Sequence, residues 1–166
     1  EEINAILTFS EFRDDRYVFM ATSRGRVKKV TLSDFSNAKT RGIAALKLDG
    51  GDRLITALLT EGNDDVVLVS RSGRALRVKE NEVRTMGRTA RGVQGIRLAK
   101  EDELSGVVRV DDQTTMLLVT ENGMGKRVEF DELSPHGRAT GGQIAYRSSD
   151  KTGEVIGVLA VGENDD

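Results

Sequence analysis

Val67-Leu68-Val69-Ser70-Arg71-Ser72-Gly73-Arg74-Ala75-Leu76-Arg77-Val78 reads as a β-hairpin: an apolar run, a polar turn closed by glycine, and a second run mixing apolar and basic residues. The same shape stands upstream at 18–30, turning at Gly25, and downstream at 117–128, turning at Gly123. The three glycines lie 48 and 50 residues apart, so the chain is read first as a repeat. Each hairpin leads to a short acidic-apolar step: Asp34-Phe35, Glu82-Val83, Glu132-Leu133. A glycine-bearing loop then enters a third apolar segment at 41–46, 91–96 and 141–146. A fourth run closes the unit at 55–60, 104–109 and 155–160, and a further copy stands at 3–8. Its small residue recurs in register as Ala5, Ala57, Gly106 and Gly157. The sequence therefore predicts an all-β chain of three four-stranded blades arranged radially, as in a propeller. The expected units are a leading strand within 1–16 and blades at about 17–65, 66–115 and 116–166. A β-sandwich or barrel is the alternative, and repetition in register favours blades.

The rest of the composition excludes several function classes. Charged residues make up 31% and apolar ones 37%, and no apolar run approaches the roughly 18 residues of a membrane span, so no membrane partner is expected. There is no cysteine, which removes disulfides, thiolate metal sites and Cys nucleophiles and fits a reducing cytoplasm. The opening Glu1-Glu2-Ile3 is neither a signal nor a transit peptide, and without an initiator Met the chain reads as part of a longer protein. No Ser-His-Asp set, P-loop or zinc spacing is present. The one histidine, His136, follows the one proline, Pro135, and reads as a loop surface residue. Asp14-Asp15, Asp64-Asp65, Asp111-Asp112 and Asp165-Asp166 recur beyond the fourth strands and read as solvated turn acids, with a Ca²⁺ or Mg²⁺ site as the alternative. No catalytic residue, metal or cofactor is expected in these residues.

The cations carry more information. The net charge is −2, but residues 17–47 hold seven Lys/Arg against one acid, Asp34, and residues 71–97 hold eight against Glu80 and Glu82. Lys29, Arg77 and Arg127 each stand four places after a turn glycine and just before a valine. Neighbours in a strand point to opposite faces, so an inward valine places the cation outward. Pairing with Asp34, Glu82 or Glu132 across the hairpin is the alternative. Arg24, Arg26, Lys28, Arg71 and Arg74 flank the turns, and Arg41, Arg91 and Arg138 lie on the glycine-rich approach to the third segment. Blades side by side would align these positions along one curved edge suited to duplex phosphates. With no Trp, two Tyr and five Phe, neither a single-strand stacking platform nor a protein-interaction face is favoured.

Certain stretches are recognisable. Phe19-Met20-Ala21-Thr22, Gly25, Val27-Lys28-Lys29 and Asp34-Phe35 resemble a blade of the gyrase A C-terminal domain. So do Val83-Arg84, Met86-Gly87-Arg88-Thr89-Ala90-Arg91-Gly92-Val93 and Gly95-Ile96-Arg97-Leu98, with Asn122-Gly123, Gly125-Lys126-Arg127, Arg138-Ala139-Thr140 and Gly142. The resemblance spans essentially the whole chain. It implies a β-pinwheel whose blades exchange strands and whose basic perimeter wraps double-stranded DNA, and it adds Arg84, Arg88 and Lys126 to the DNA-binding set. It also implies a cytoplasmic, nucleoid-associated type II topoisomerase that uses ATP to introduce negative supercoils. Its partners would be the remaining gyrase A domains and gyrase B, with ATP, Mg²⁺ and the cleavage tyrosine held elsewhere. The wrapping motif Gln-Arg-Arg-Gly-Gly-Lys-Gly of that family does not occur; 39–42 and 89–92 look like degenerate counterparts. Topoisomerase IV, whose gyrase A counterpart carries such box-less blades, is the related alternative. Three blades are also half of the usual six, so a partial disc is expected to pair with a second copy through its open edges.

Overall fold

A computed structural model describes residues 3–165. Each repeat opens with an antiparallel hairpin: β1 (Tyr17–Thr22) with β2 (Arg26–Thr31), β4 (Asp65–Ser70) with β5 (Arg74–Lys79), and β8 (Thr114–Thr120) with β9 (Gly125–Val128). Val18 faces Val30, Val66 faces Val78 and Met116 faces Val128, the same register three times. The turns close through left-handed glycines, Gly25 at φ 76°, Gly73 at 87° and Gly123 at 78°, a region that other residues reach only with strain. Leu32–Phe35, Glu80–Glu82 and Phe130–Glu132 are short 3-10 turns, so the acidic-apolar steps are where each chain leaves its hairpin.

The closing strands β3 (Leu54–Thr60), β7 (Leu104–Arg109) and β11 (Val155–Gly162) pair with the first strand of their own hairpin. The third strands do not stay at home. β6 (Val93–Gln94) leaves the second repeat and pairs with β2 of the first, and β10 (Gln143–Ile144) leaves the third and pairs with β5 of the second. The sheets therefore run β3-β1-β2-β6, β10-β5-β4-β7 and β11-β8-β9. A four-stranded blade thus draws on two repeats, which is the strand exchange expected of a pinwheel. Two expected strands do not form among the described residues. The third-segment copy at 41–46 has no earlier hairpin to receive it, since the first begins at Tyr17. The expected leading strand at 3–8 likewise lacks the hairpin that a closing strand pairs with, and only Leu7 of that stretch packs on the first blade.

β3 touches β7 and β7 touches β11, so the closing strands of successive blades meet at the hub and the donated β6 and β10 lie at the outer edge. The core sits between blades. Val66 and Leu68 join Phe19 and Val27 of the first blade, while the intervening Val67 and Val69 join Met116 and Leu118 of the third. Alternating side chains of β4 thus feed two different cores. That is why 66–69 is uniformly apolar, and each such burial is worth about 1.5–3 kcal/mol.

Candidate nucleic-acid interface

The outer edge is built by backbone contacts that cross blade junctions. The Gly25 carbonyl accepts the N–H groups of Gly95 (2.8 Å) and Ile96 (3.2 Å), and the Gly73 carbonyl accepts those of Ala145 and Tyr146, both at 3.0 Å. The Lys29 carbonyl accepts Met86 N–H at 3.0 Å, and the Arg77 carbonyl accepts His136 N–H at 2.9 Å. A Cβ on Gly92 would lie 2.4 Å from the Val27 carbonyl oxygen, and one on Gly142 2.3 Å from that of Ala75. Only glycine lets these loops lie against the preceding blade. The loops 83–92 and 133–142 therefore run along the edge from blade to blade, carrying Arg84, Arg88, Arg91 and Arg138.

The fourteen predicted DNA-binding cations divide sharply. Lys29 and Arg77 do not face outward, which corrects the alternation argument. Lys29 is buried, with Nζ 3.2 Å from the Glu80 carbonyl oxygen, 3.5 Å from Glu80 Oε1 and 5.0 Å from the Tyr17 ring centre. Arg77 donates to Asp65 Oδ2 at 2.8 Å and to the Phe130 carbonyl at 3.0 Å. The argument assumed one solvated face, whereas both faces of a stacked blade are covered. The partners are also not Asp34 or Glu82 but Glu80 of the next blade and Asp65 across the hairpin. Asp65 is thus a largely covered acceptor, not a solvated turn acid. Asp166, its counterpart, lies outside the described residues. Arg127 stands at the same register but is exposed, donating to the Gly162 carbonyl at 2.9 Å, because no described blade follows it.

Other candidates are also committed to the fold. Lys28 is buried and donates to the carbonyls of Ala45 (2.8 Å) and Arg88. Burial, and then the Arg88 charge, lower its pKa to about 8. Arg74 donates to the carbonyls of Gly141 (2.7 Å) and Gly142 (2.8 Å), pinning the third repeat's loop, and Arg26 reaches Gly92 and Asp49. Arg71 lies away from the outer edge, where it holds Glu154 (2.5 Å) and Glu121 (3.2 Å). Near it Arg53 holds Glu103 at 2.7 Å, a link between the first and second blades that the motifs did not foretell. That bond, more than the opposing burial, keeps the Glu103 carboxyl below its usual range.

The remaining candidates face solvent at the edge or the turns. Arg41 and Arg84 are exposed, with no side-chain partner among the described residues. Arg24 is exposed, its guanidinium beside Gly51. Arg91 makes one exposed ion pair, to Asp49 at 3.0 Å, and such pairs are worth about 1 kcal/mol or less, so a phosphate can displace it. Arg88, half-buried, donates to the Ala44 carbonyl at 3.0 Å; Arg138 donates to that of Gln94 at 3.2 Å and Lys126 to that of Ala145 at 2.9 Å. A carbonyl orients these cations without neutralising them. One in-register set, of which only Arg97 falls within a recognised stretch, is not among the predicted DNA-binding residues. Lys47, Arg97 and Arg147 stand 50 residues apart, directly after each third segment, and all three are exposed. Among the described residues no group of three or more His, Asp or Glu is arranged to hold a metal.

Comparison with known proteins follows the same repeats. The family described as "DNA gyrase C-terminal domain, beta-propeller" matches residues 16–61, 64–111 and 114–161. The chain is 67% identical over all its 166 residues to the DNA gyrase A protein of Treponema pallidum, of which it covers 20%. It is 48% identical to that of Escherichia coli over 87 residues, 52% of this chain and 10% of that protein. Among solved structures, a DNA gyrase A C-terminal domain superposes with a TM-score of 0.90 at 30% identity, covering 99% of this chain and 55% of that one. The C-terminal domain of a DNA topoisomerase IV shares the fold, with a TM-score of 0.85 at 23% identity over 93% of this chain and 49% of that one. The chain thus spans about a fifth of the T. pallidum relative's length.

Proposed function

Since this chain belongs to the DNA gyrase A C-terminal domain family, we propose that its outer edge binds duplex DNA without reading sequence and bends it around the blades. The observation that carries the reading is the division of the cations. Those turned into the fold are locked to carbonyls and covered acids, while Arg84, Arg88 and Arg138 on the edge loops, and Arg41 on the corresponding loop of the first repeat, carry no ion pair among the described residues, and Arg91 carries one exposed pair to Asp49. Arginine presents a fixed fork of N–H donors that suits phosphate oxygens. The few aromatics offer no base-stacking platform. Affinity would therefore come from phosphate neutralisation and counterion release. The complete protein would be an ATP-dependent type II topoisomerase working with gyrase B on nucleoid DNA in the cytoplasm, its ATP, Mg²⁺ and cleavage chemistry supplied by other domains.

The test is a salt titration of binding to duplexes of unrelated sequence. If about six phosphates are neutralised, log K falls against log salt with a slope near −5, alike for every sequence. A salt-insensitive affinity, or none at low salt, overturns the reading. Ligation of nicked circular DNA in the presence of the protein then reports wrapping. A shifted topoisomer distribution is expected, and binding without a shift would leave a duplex-binding crescent that does not wrap.

A further inference from the structure

Among the described residues Asp49 is the one acid whose carboxylate pairs with a guanidinium of the edge loops. We infer that it is a built-in competitor of DNA: it holds Arg91 while the edge is empty, yields it to a backbone phosphate, and so keeps the duplex easy to release. This rests on the duplex-binding reading above and adds a contact that opposes binding.

Arg84, Arg88, Arg91 and Arg138 stand on the edge loops, and among the described residues only Arg91 carries an ion pair. Its Nη1 lies 3.0 Å from Asp49 Oδ1, while Arg26 Nε lies 3.5 Å from Asp49 Oδ2. Glu82, also at a junction, meets its loop differently. Its Oε2 accepts Arg138 N–H at 3.1 Å, and the Arg138 guanidinium turns to the Gln94 carbonyl.

The acid is placed by the first repeat and the arginine by the second. The Asp49 carbonyl accepts Asp52 N–H at 3.0 Å, and Asp52 Oδ1 accepts from Ser23 Oγ at 2.8 Å and Arg24 N–H at 3.1 Å. The turn 49–52 is thereby tied to the first hairpin. Lys47 N–H donates to the Ala90 carbonyl at 3.4 Å, which brings that turn alongside Arg91. The junction of the second and third blades repeats this backbone contact, Arg97 N–H to the Thr140 carbonyl at 2.9 Å, but Ala99 stands where Asp49 does. There Arg74, the counterpart of Arg26, grips the Gly141 and Gly142 carbonyls at 2.7 and 2.8 Å. Arg26 reaches the Gly92 carbonyl only at 3.4 Å and shares Asp49 with Arg91. The acid is thus an addition to one junction, not a part that every junction needs in order to close.

The Asp49 and Arg91 side chains are 28% and 56% exposed, so the pair is open to exchange and screened by salt. A phosphate offers the same charge to the guanidinium fork. Asp49 opposes it twice: it has to be displaced, and once displaced it repels the new anion. Held on a fixed turn, it recaptures Arg91 whenever the phosphate leaves.

The experiment uses the complete protein that contains this chain and a duplex of about 150 base pairs, one persistence length. It compares wild type with Asp49→Asn, Asp49→Ala, Arg91→Gln, the double variant Asp49→Asn/Arg91→Gln, and Asp112→Asn, a control that removes the same charge from the exposed turn between β7 and β8. Both Asp49 variants should melt near wild type and bind about two- to five-fold more tightly at low salt, a gain that shrinks as salt rises. Arg91→Gln should weaken binding, and adding Asp49→Asn to it should restore little, since the two residues act through one contact. The control should match wild type. Asp49 variants that bind no better than wild type overturn the competitor. So does a gain that persists without Arg91, or one that the control shares, because either would reduce the effect to overall charge. A wild type whose binding ignores salt defeats the duplex-binding reading itself, whatever Asp49 does.

Discussion

Lys28 and Lys29 are adjacent in sequence and point into opposite sides of the first blade, and neither is a surface cation. Lys29 lies beside Glu80, which also accepts from Thr60 Oγ1 at 3.1 Å and Asp64 N–H at 3.2 Å. Removing one partner of such a buried pair leaves the other charge uncompensated, so Lys29→Met should cost about 3–5 kcal/mol in urea denaturation. The salt slope of DNA binding by the protein that remains folded should not move, which separates this lysine from the edge. Lys28 predicts a pH effect instead. Its folded pKa of about 8 lies below its ordinary 10.5, chiefly through burial. Between those values the unfolded chain holds a proton that the folded one has released, so stability contributed by this group rises with pH across the window and is flat below it. Thermal melting from pH 7 to 10 should show wild type gaining on Lys28→Met above about pH 8. Parallel curves would mean that the fold does not oppose the charge. Asp52 behaves oppositely. Burial raises its pKa, but bonds from Thr22, Ser23 and the N–H groups of Arg24 and Arg53 outweigh it and leave the value lowered. Its contribution is present above the ordinary carboxylate range and lost as pH falls through the lowered value.

At the scale of elements, the exchanged strands depend less on their own short pairings than on the glycine loops that precede them. Gly92→Ala drives a Cβ into the Val27 carbonyl at φ +83°, and Gly142→Ala does so at Ala75 at φ +64°. Gly42 occupies the same register at φ +68° with nothing within 4 Å. In the 166-residue chain, Gly42→Ala should cost about 1 kcal/mol from backbone strain, and Gly92→Ala about 2–4 kcal/mol from strain plus collision. Equal losses by urea denaturation would show that the loops do not hold the blades together. The same contrast shows what was legible. Hairpins were readable because a turn glycine and its flanking runs are local signals, and 18–30, 67–78 and 117–128 all fold as read. The destination of β6 and β10 was not, because a two-residue pairing is fixed by the carbonyls of Gly25 and Gly73, far away in sequence. The outward placement of Lys29 and Arg77 failed for a related reason. Alternation tells which side chains share a face, and only stacking decides whether that face is wet. The edge-loop arginines were legible because they lie in glycine-rich loops, whereas the 47, 97, 147 set is seen only when its register meets the contacts to Ala90 and Thr140.

At the scale of the three blades together, the third is unlike the other two. The third sheet has three strands, so β9 presents an edge that β2 and β5 cover with a donated strand. Gly123 faces open space where Gly25 and Gly73 meet Ile96 and Tyr146, and Arg127 is exposed where Arg77 is covered. On the hub strand β11, at the other edge of the same sheet, Ile156 and Leu159 are 53% and 54% exposed, whereas Val108, the counterpart of Leu159 in β7, is buried against the third blade. An unpaired strand edge and exposed apolar side chains on the same blade are each conditions under which blades associate. The first blade is less open, because Leu7 packs on its outer core. The 166-residue chain should therefore dimerise through its third blades, with the same surface on both partners. Light scattering should show a mass that rises with concentration toward twice 18.1 kDa. Lys or Glu at both Ile156 and Leu159 should return it to a monomer with little change in melting, because these side chains are already half in water. A strict monomer at high concentration would show that the open edge is too twisted or too charged to pair. The edge loops of the first two blades would be unaffected by that result, since β6 and β10 already cover the β2 and β5 edges there.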